Sequence, residues 1–456
     1  MLSSFLGRAV HMASPTPDPE AGSSALALVT SGPSFIDLKV RLHQRLIDIL
    51  DLPVVERTPR AQLEQEVGGM IRDMLKRETE FNFTEQERQR LVADVLDELL
   101  GFGALEPLLK DPTVNDIIVN TYNQVCVERA GKIEITSVHF KDDAHLLRII
   151  NKMVAEVGRR IDESQPIVDA RLKDGSRLSA VIAPVAVDGP LLSIRKFSKI
   201  PFDLERLVAS GSITPEISLA LDAMVRAKLN ILISGGTGSG KTTLLNAMSG
   251  FIDHRETIVT IEDAAELQLQ QPMVRRMETR PASIEGRGEI TQRDLVKAAL
   301  RMRPDRIILG EVRSGEAFDM LQAMNTGHEG SMSTVHANSA RDALTRLEQM
   351  IGMAGLDMAP RTIRQQIASA IHIVLQLTRG SDGKRRVVSV QEVTGMEGET
   401  ISMNEIFCFR RTATDADGNI HGYFETTGIR PKFAEQLASM NVTFPTEMFA
   451  AHRRLE

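Results

Sequence analysis

The chain has 456 residues, 42% of them hydrophobic, with 54 Lys and Arg against 61 Asp and Glu and a formal net charge of −7. That length holds more than one core, and the composition excludes collagen-like and low-complexity classes for the chain as a whole. The acidic balance argues against a protein whose main task is gripping nucleic acid, and the two distant cysteines, Cys126 and Cys408, exclude a disulfide framework and the usual cysteine zinc modules.

Residues 1–33 are rich in Ser, Thr, Gly and Pro, and only Arg8, Asp18 and Glu20 carry charge. A segment that offers so little to bury is expected to be a disordered tail. Arg8 and His11 interrupt the apolar start, so no signal-peptide core is expected. Nowhere does a charge-free apolar run approach the roughly 20 residues that span a bilayer. The expectation is a soluble protein of the reducing cytosol that can still work beside a membrane.

Residues 34–100 read as a small helical bundle. One helix falls near Ile36 to Leu50. Leu63, Val67, Met70, Ile71, Met74 and Leu75 then repeat with helical period, as do Leu91, Val92, Val95, Leu96, Leu99 and Leu100. Thr84-Glu85-Gln86-Glu87 before the second run has the form of a capping box. Residues 101–200 read as an α/β domain: strands at Ile117–Val119, Val125–Glu128 and Ile133–Ile135, a helix over 142–157, and a hairpin turning at Asp174-Gly175. Residues 201–213 read as a linker. Thr214-Pro215, a cap followed by proline at the first helical position, opens a last domain over 214–456. There, strands at 231–234, 257–261, 306–309, 330–335 and 371–377 alternate with helices, which argues for a helix-covered parallel sheet. Met320 and Met324 read as core residues of one of these helices. The final 70 residues read as β-rich with a closing helix near 431–440.

Gly235-Gly236-Thr237-Gly238-Ser239-Gly240-Lys241-Thr242 fits G-x-x-x-x-G-K-[ST], after an apolar strand and before a helix that includes Thr243. Glycines let backbone N–H groups wrap phosphates, and the helix N-terminus adds its positive dipole end. Lys241 is expected on the β- and γ-phosphates of a nucleoside triphosphate, and Thr242 on Mg²⁺. Two apolar strands end in carboxylates. Glu311, after Ile307-Ile308-Leu309-Gly310, is expected to support the metal, and Glu262, after Ile258–Ile261, to activate the attacking water. His328 and His336 flank a further short strand at a spacing that fits no common zinc pattern.

These segments resemble a known family. Gly235–Thr242, Thr260-Ile261-Glu262-Asp263, Leu309-Gly310-Glu311-Val312-Arg313 and Thr326–His336 look like the Walker A, Asp box, Walker B and His box of the type II/type IV secretion ATPase superfamily. The stretches Asp188-Gly189-Pro190 to Phe197 and Arg301–Asp305 are similar too, and the nearest likeness is to the tight-adherence (Tad, or Cpa) pilus motor branch. The resemblance implies a RecA-like P-loop NTPase domain preceded by a smaller, PAS-like α/β domain, beyond an N-terminal helical bundle. It implies a homo-hexameric, Mg²⁺-dependent ATPase at an inner-membrane pilus platform, peripheral to the membrane through its partners, with no nucleic acid.

By the same resemblance Glu262 is the hydrolytic base, Glu311 the Walker B carboxylate, and His336 a coupling residue. Gly236, Thr237, Gly238, Ser239, Gly240, Lys241, Thr242, Thr243 and His328 surround the nucleotide. Arg195, with Arg171 and Arg177, faces a phosphate across an intra- or inter-subunit cleft. The competing classes are another type IV secretion or conjugation ATPase, and a nucleic-acid translocating motor.

Overall fold

A computed structural model describes residues 60–77, 84–129, 131–197, 203–280, 282, 287–416, 418–439, 446–450 and 452–455, together with single helical positions at Leu38, Leu42, Arg45, Leu46 and Ile49. The tail expected at 1–33 lies outside the described residues.

Helices α1 (Arg60–Arg77) and α2 (Glu85–Leu100) pack through Leu63, Val67, Ile71, Leu75, Leu91, Val92 and Val95, and Leu38, Leu42 and Leu46 join the same cluster. The capping box forms: the Thr84 hydroxyl accepts from the Glu87 N–H at 3.3 Å, and the Glu87 carboxylate accepts from the Thr84 N–H at 2.8 Å. At the other end of α2, Lys152 donates to the carbonyls of Leu99 and Gly101, and the buried pair Glu98–His145 closes at 2.5 Å. Both lysine and histidine come from α3 (Asp143–Ala155), so the α1–α2 pair is anchored on the domain that follows it.

That domain is a six-stranded antiparallel sheet of β1 (Val114–Thr121), β2 (Gln124–Arg129), β3 (Lys132–Ile135), β4 (Ile167–Arg171), β5 (Arg177–Val181) and β6 (Leu191–Arg195). Its strand order is β3-β2-β1-β6-β5-β4. Leu146, Ile149, Ile150 and Met153 of α3 cover one face, against Ile117, Val119, Leu178 and Ile194. The opposite register positions carry Asp116, Arg177 and Arg195, with Arg195 paired to both Asp116 and Arg177 across β6.

Within 201–213, residues Leu204–Ala209 form helix α4, whose Leu204 and Leu207 are buried in the core of the last unit. Helix α5 (Pro215–Arg226) starts at Thr214, whose side chain accepts from the Ile217 N–H. The ten-stranded sheet beyond it has a parallel half and an antiparallel half. The parallel half contains β7 (Ile231–Gly235), β8 (Ile258–Glu262), β9 (Val274–Glu278), β10 (Arg306–Val312), β11 (Met332–Val335) and β12 (Ile373–Arg379), in the order β12-β7-β11-β10-β8-β9. Strands β13 (Arg385–Glu397), β14 (Thr400–Thr414), β15 (Ile420–Thr426) and β16 (Arg454–Leu455) extend it antiparallel from β12.

Alternate residues of the parallel strands feed two cores, as a doubly covered sheet requires. Ile231, Ile233, Ile373 and Leu375 pack with α4, α5 and α6 (Lys241–Ser249). Leu232, Val259, Ile307, Leu309 and Val374 pack with α7 (Gln292–Ala299), α8 (Glu316–Asn325), α9 (Ala340–Met353) and α10 (Pro360–Ala370). Met320 and Met324 lie in this second core. The closing helix α11 (Phe433–Ser439) returns to the first core through Phe433 and Leu437. No described helix is long and apolar enough to cross a membrane.

Candidate functional site

The carboxyl ends of the parallel strands carry the site, as expected where strands feed helices through short loops. Strand β7 ends at Gly235, and the loop 236–240 leads directly into α6. Gly238 and Gly240 hold φ of +68° and +97°, a region that other residues rarely enter. No side chain caps the start of α6, so its first N–H groups face the loop interior with the positive end of the helix dipole.

Lys241 is buried, and its Nζ donates to the carbonyls of Gly235 and Gly236, each at 3.0 Å. Burial lowers its pKa, and the nearby Glu311 carboxylate opposes that shift. The same Nζ lies 3.3 Å from His336 Nε2 and 3.5 Å from Nδ1. His336 Nε2 lies 3.0 Å from Glu311 Oε1. Burial first, and then the Lys241 charge, hold the imidazole pKa below its ordinary value, so the ring is neutral near pH 7. Donation from Nε2 to Glu311 then leaves Nδ1 to accept from Lys241. Glu311 also takes a 2.6 Å bond from Arg313, whose other nitrogen reaches Asp263 at 3.3 Å. Arg313 therefore ties the carboxylate-bearing ends of β8 and β10 together.

Glu262 is only 3% exposed. Its Oε2 accepts from the N–H groups of Glu266 and Leu267 at 2.7 and 2.9 Å, while among the described residues its Oε1 has no hydrogen-bond partner. Burial pushes its pKa up to about 7, against the lowering effect of those two N–H bonds. The glycine before Glu311 has a packing reason. A Cβ on Gly310 would come 2.9 Å from Glu262 Cγ, so a side chain here would displace the buried carboxylate.

The first α/β domain faces this edge across two clefts. One of about 200 Å³ is lined by Arg177, Arg195, Lys196 and Phe197 on one side and Thr242, Thr243 and Asn246 on the other. A larger one of about 440 Å³ is lined by Arg171, Arg177, Arg195, Asp263 and Glu278. Arg177 pairs with Glu266 at 3.0 Å, Arg171 with Glu278 at 3.0 Å and with the Ala265 carbonyl at 2.8 Å, and Arg195 with Asp116 of its own sheet at 3.1 Å.

The structure thus brings Lys241, Thr242, Thr243, Glu262, Glu311, His336, Arg171, Arg177 and Arg195 to one edge, with Gly236, Thr237 and Gly238 exposed at the loop apex and Ser239 buried beneath it. His328 is elsewhere. It precedes β11, its Nδ1 rests 3.3 Å from the Ala323 carbonyl at the end of α8, and β11 runs parallel to β7. It therefore sits at the amino end of the sheet, a strand length from the loop. Sequence reasoning left Arg313, Arg379 and Arg385 unassigned. Arg313 was visible beside Glu311, and the basic run Lys384-Arg385-Arg386 after an apolar strand was the other available signal.

The chain is similar to known proteins over most of its length. The family described as "Type II/IV secretion system protein" matches residues 98–430. A candidate conjugal transfer protein of Mycobacterium tuberculosis is 39% identical over 325 residues, covering 70% of this chain and 92% of its own. The type IV secretion system protein PtlH of Bordetella pertussis is 37% identical over 314 residues, covering 63% and 92%. Among solved structures, the VirB11 ATPase of the Brucella suis type IV secretion system, crystallised with sulphate, is 30% identical over 63% of this chain and 95% of its own, with a TM-score of 0.35. On a family match that spans most of its length, the chain is a member of the type II/IV secretion system protein family.

Proposed function

We propose that this protein is a Mg²⁺-dependent ATPase whose turnover drives movement of the first α/β domain against a RecA-like domain, within a homo-hexameric secretion motor. The observation that carries the reading is the convergence of a buried Lys241, the Glu311–His336 pair and a buried Glu262 at the mouth of one glycine loop. Positive-φ glycines, an uncapped helix start and a lysine held inward suit a polyphosphate. The Thr242 hydroxyl and the Glu311 carboxylate are hard oxygen donors that fit Mg²⁺. They would hold it there, where it would offset phosphate charge.

Lys241 would neutralise phosphate oxygens from within the loop. Oε1 of Glu262 would accept the proton of the attacking water, while the two N–H bonds to Oε2 keep the carboxylate oriented. Arg177 and Arg195, across the smaller cleft from Thr242 and Thr243, would bring positive charge to the phosphates when the first domain closes. The antiparallel sheet with its covering helix supports the PAS-like reading of that domain. The reading extends to a cytoplasmic ring at the inner membrane that powers a Tad-type or other type IV pilus through platform proteins. A second reading, a conjugation or type IV secretion machine, is favoured by the names of the relatives.

Steady-state ATP hydrolysis by the wild type, Lys241→Ala, Glu262→Ala and Glu311→Ala, with particle mass measured on the same samples, tests the proposal. The expected outcome is turnover in a six-subunit particle, abolished in Glu262→Ala while nucleotide still binds. Full activity in Glu262→Ala would remove it as the base. Deleting the gene and assaying surface pili beside conjugative transfer separates the two machines.

A further inference from the structure

The turn between β12 and β13 does something the family boxes do not describe. Arg385, at the start of β13, donates from Nε to the Gly238 carbonyl at 2.9 Å, and its Cδ lies 3.3 Å from where a Cβ on Gly240 would stand. The Nη2 of the same guanidinium lies 3.6 Å from Glu128 of β2, in the first α/β domain. Arg379, at the end of β12, donates to the Gly131 carbonyl in the β2–β3 turn. Its Nη1 lies 3.4 Å from the Cβ position of Gly238. Two arginines of one hairpin therefore touch the glycine loop with one part of the side chain and the first domain with another.

The contact falls on a peptide whose orientation matters. In a trans peptide the C=O and the following N–H point in opposite directions. Holding the Gly238 carbonyl with the guanidinium turns the Ser239 N–H the other way, where it donates to the Gly236 carbonyl at 3.3 Å, the same carbonyl that takes a bond from Lys241. Gly238 at φ +68° has no Cβ to resist a flip of this peptide. The guanidinium opposes that flip.

We infer that Arg385, assisted by Arg379, is a positioning residue that makes the conformation of the phosphate loop depend on where the first domain sits, through Glu128 and the Gly131 turn. The inference rests on the reading that the loop binds a nucleoside triphosphate. Glu128 stands in the cross-strand row that runs through Asp116 to Arg195 and Arg177, so the link joins the loop to the sheet that carries those arginines.

Binding of a fluorescent methylanthraniloyl ATP with Mg²⁺ to the full-length protein tests it, with thermal unfolding measured alongside. Arg385→Ala is expected to weaken binding about 10-fold, the scale of one charged hydrogen bond. Glu128→Gln is expected to weaken it about 3-fold, acting through Arg385, and the double variant to be no weaker than Arg385→Ala. Arg385→Lys can still reach the Gly238 carbonyl but not Glu128 as well. It should recover most of the affinity and make Glu128→Gln silent, which a merely structural role would not produce. Wild-type affinity in a folded Arg385→Ala, or additive losses in the double variant, overturns the link alone. If Arg385→Ala unfolds, Arg385→Lys with and without Glu128→Gln decides the matter. A wild type that fails to bind the probe overturns the nucleotide reading and the link together.

Discussion

Glu262 is where local chemistry is most exposed to test. Its carboxyl is buried, and burial sets its pKa near 7 instead of its usual value near 4.5. The folded protein thus holds a proton there that the unfolded chain releases, so between about pH 4.5 and 7 stability falls as pH rises. Above pH 7 the folded state carries a buried carboxylate with one oxygen unpartnered among the described residues. Glu262→Gln keeps an oxygen for the Glu266 and Leu267 N–H groups and removes the charge. At pH 8 the variant is expected to be more stable than wild type by about 3 kcal/mol, from the size of the shift, and the difference should shrink to under about 1 kcal/mol at pH 5. Unfolding midpoints at the two pH values check this, and an equal gap at both would show that charge burial is not the cause. If Glu262 is the base, wild-type hydrolysis should also rise with pH through about 7, because only the deprotonated form can accept the proton.

At the scale of elements, Arg306 shows how one side chain fixes the sheet beneath the site. It is 1% exposed at the start of β10, forms a two-pronged pair with Glu256 at 2.7 and 2.9 Å, and donates to the carbonyls of Val225 and Gly330. It thereby joins the entry to β8, the end of α5 and the turn before β11. Arg306→Ala leaves two carbonyls and a largely buried carboxylate short of a partner, with Lys228 at 3.2 Å the one ion pair left on Glu256 among the described residues. A loss of about 3 kcal/mol is expected, seen as a lower unfolding midpoint. An unchanged midpoint would mean that water replaces the guanidinium. The strand–loop–helix around Lys241 could be read from the sequence because every part of its signal is local: an apolar run, glycines, then a helix. The capping box at Thr84 was legible for the same reason. Strand β9, Val-Arg-Arg-Met-Glu, offered no apolar run, because it is an edge strand with largely exposed side chains. The Arg385–Gly238 contact joins residues 147 apart; only the pairing of β12 with β7 brings them together. His328 shared a motif with His336, but the four-residue strand between them carries the two to opposite ends of the sheet.

For the whole molecule, the decisive fact is what joins the first α/β domain to the last unit. Each has its own apolar core, and no core cluster among the described residues contains side chains from both. The joint is polar: Arg171–Glu278, Arg177–Glu266 and Arg385–Glu128, all with partly exposed guanidiniums, plus arginine contacts to the Ala265 and Gly131 carbonyls. Pairs of this kind are weak one by one, and salt weakens them further as the Debye length falls from about 10 Å at 0.1 M to about 3 Å at 1 M. Polar joints between domains leave relative motion as the default. A ligand held by Lys241 on one side and by Arg177 or Arg195 on the other would favour closure by its differential affinity for the closed form. Dyes placed at Lys173→Cys and Arg255→Cys, both well exposed, would report the separation by energy transfer in samples diluted with unlabelled protein. Raising salt from about 0.05 M to about 0.5 M should broaden the distance distribution as the Debye length shrinks. A non-hydrolysable ATP analogue with Mg²⁺ should narrow it and shift it to shorter distance at both salt concentrations. A distribution unmoved by salt would mean that the carbonyl contacts of Arg171 and Arg379, not the ion pairs, hold the domains together. A distribution unmoved by the analogue would separate nucleotide binding from domain closure and remove the mechanical step from the proposed motor.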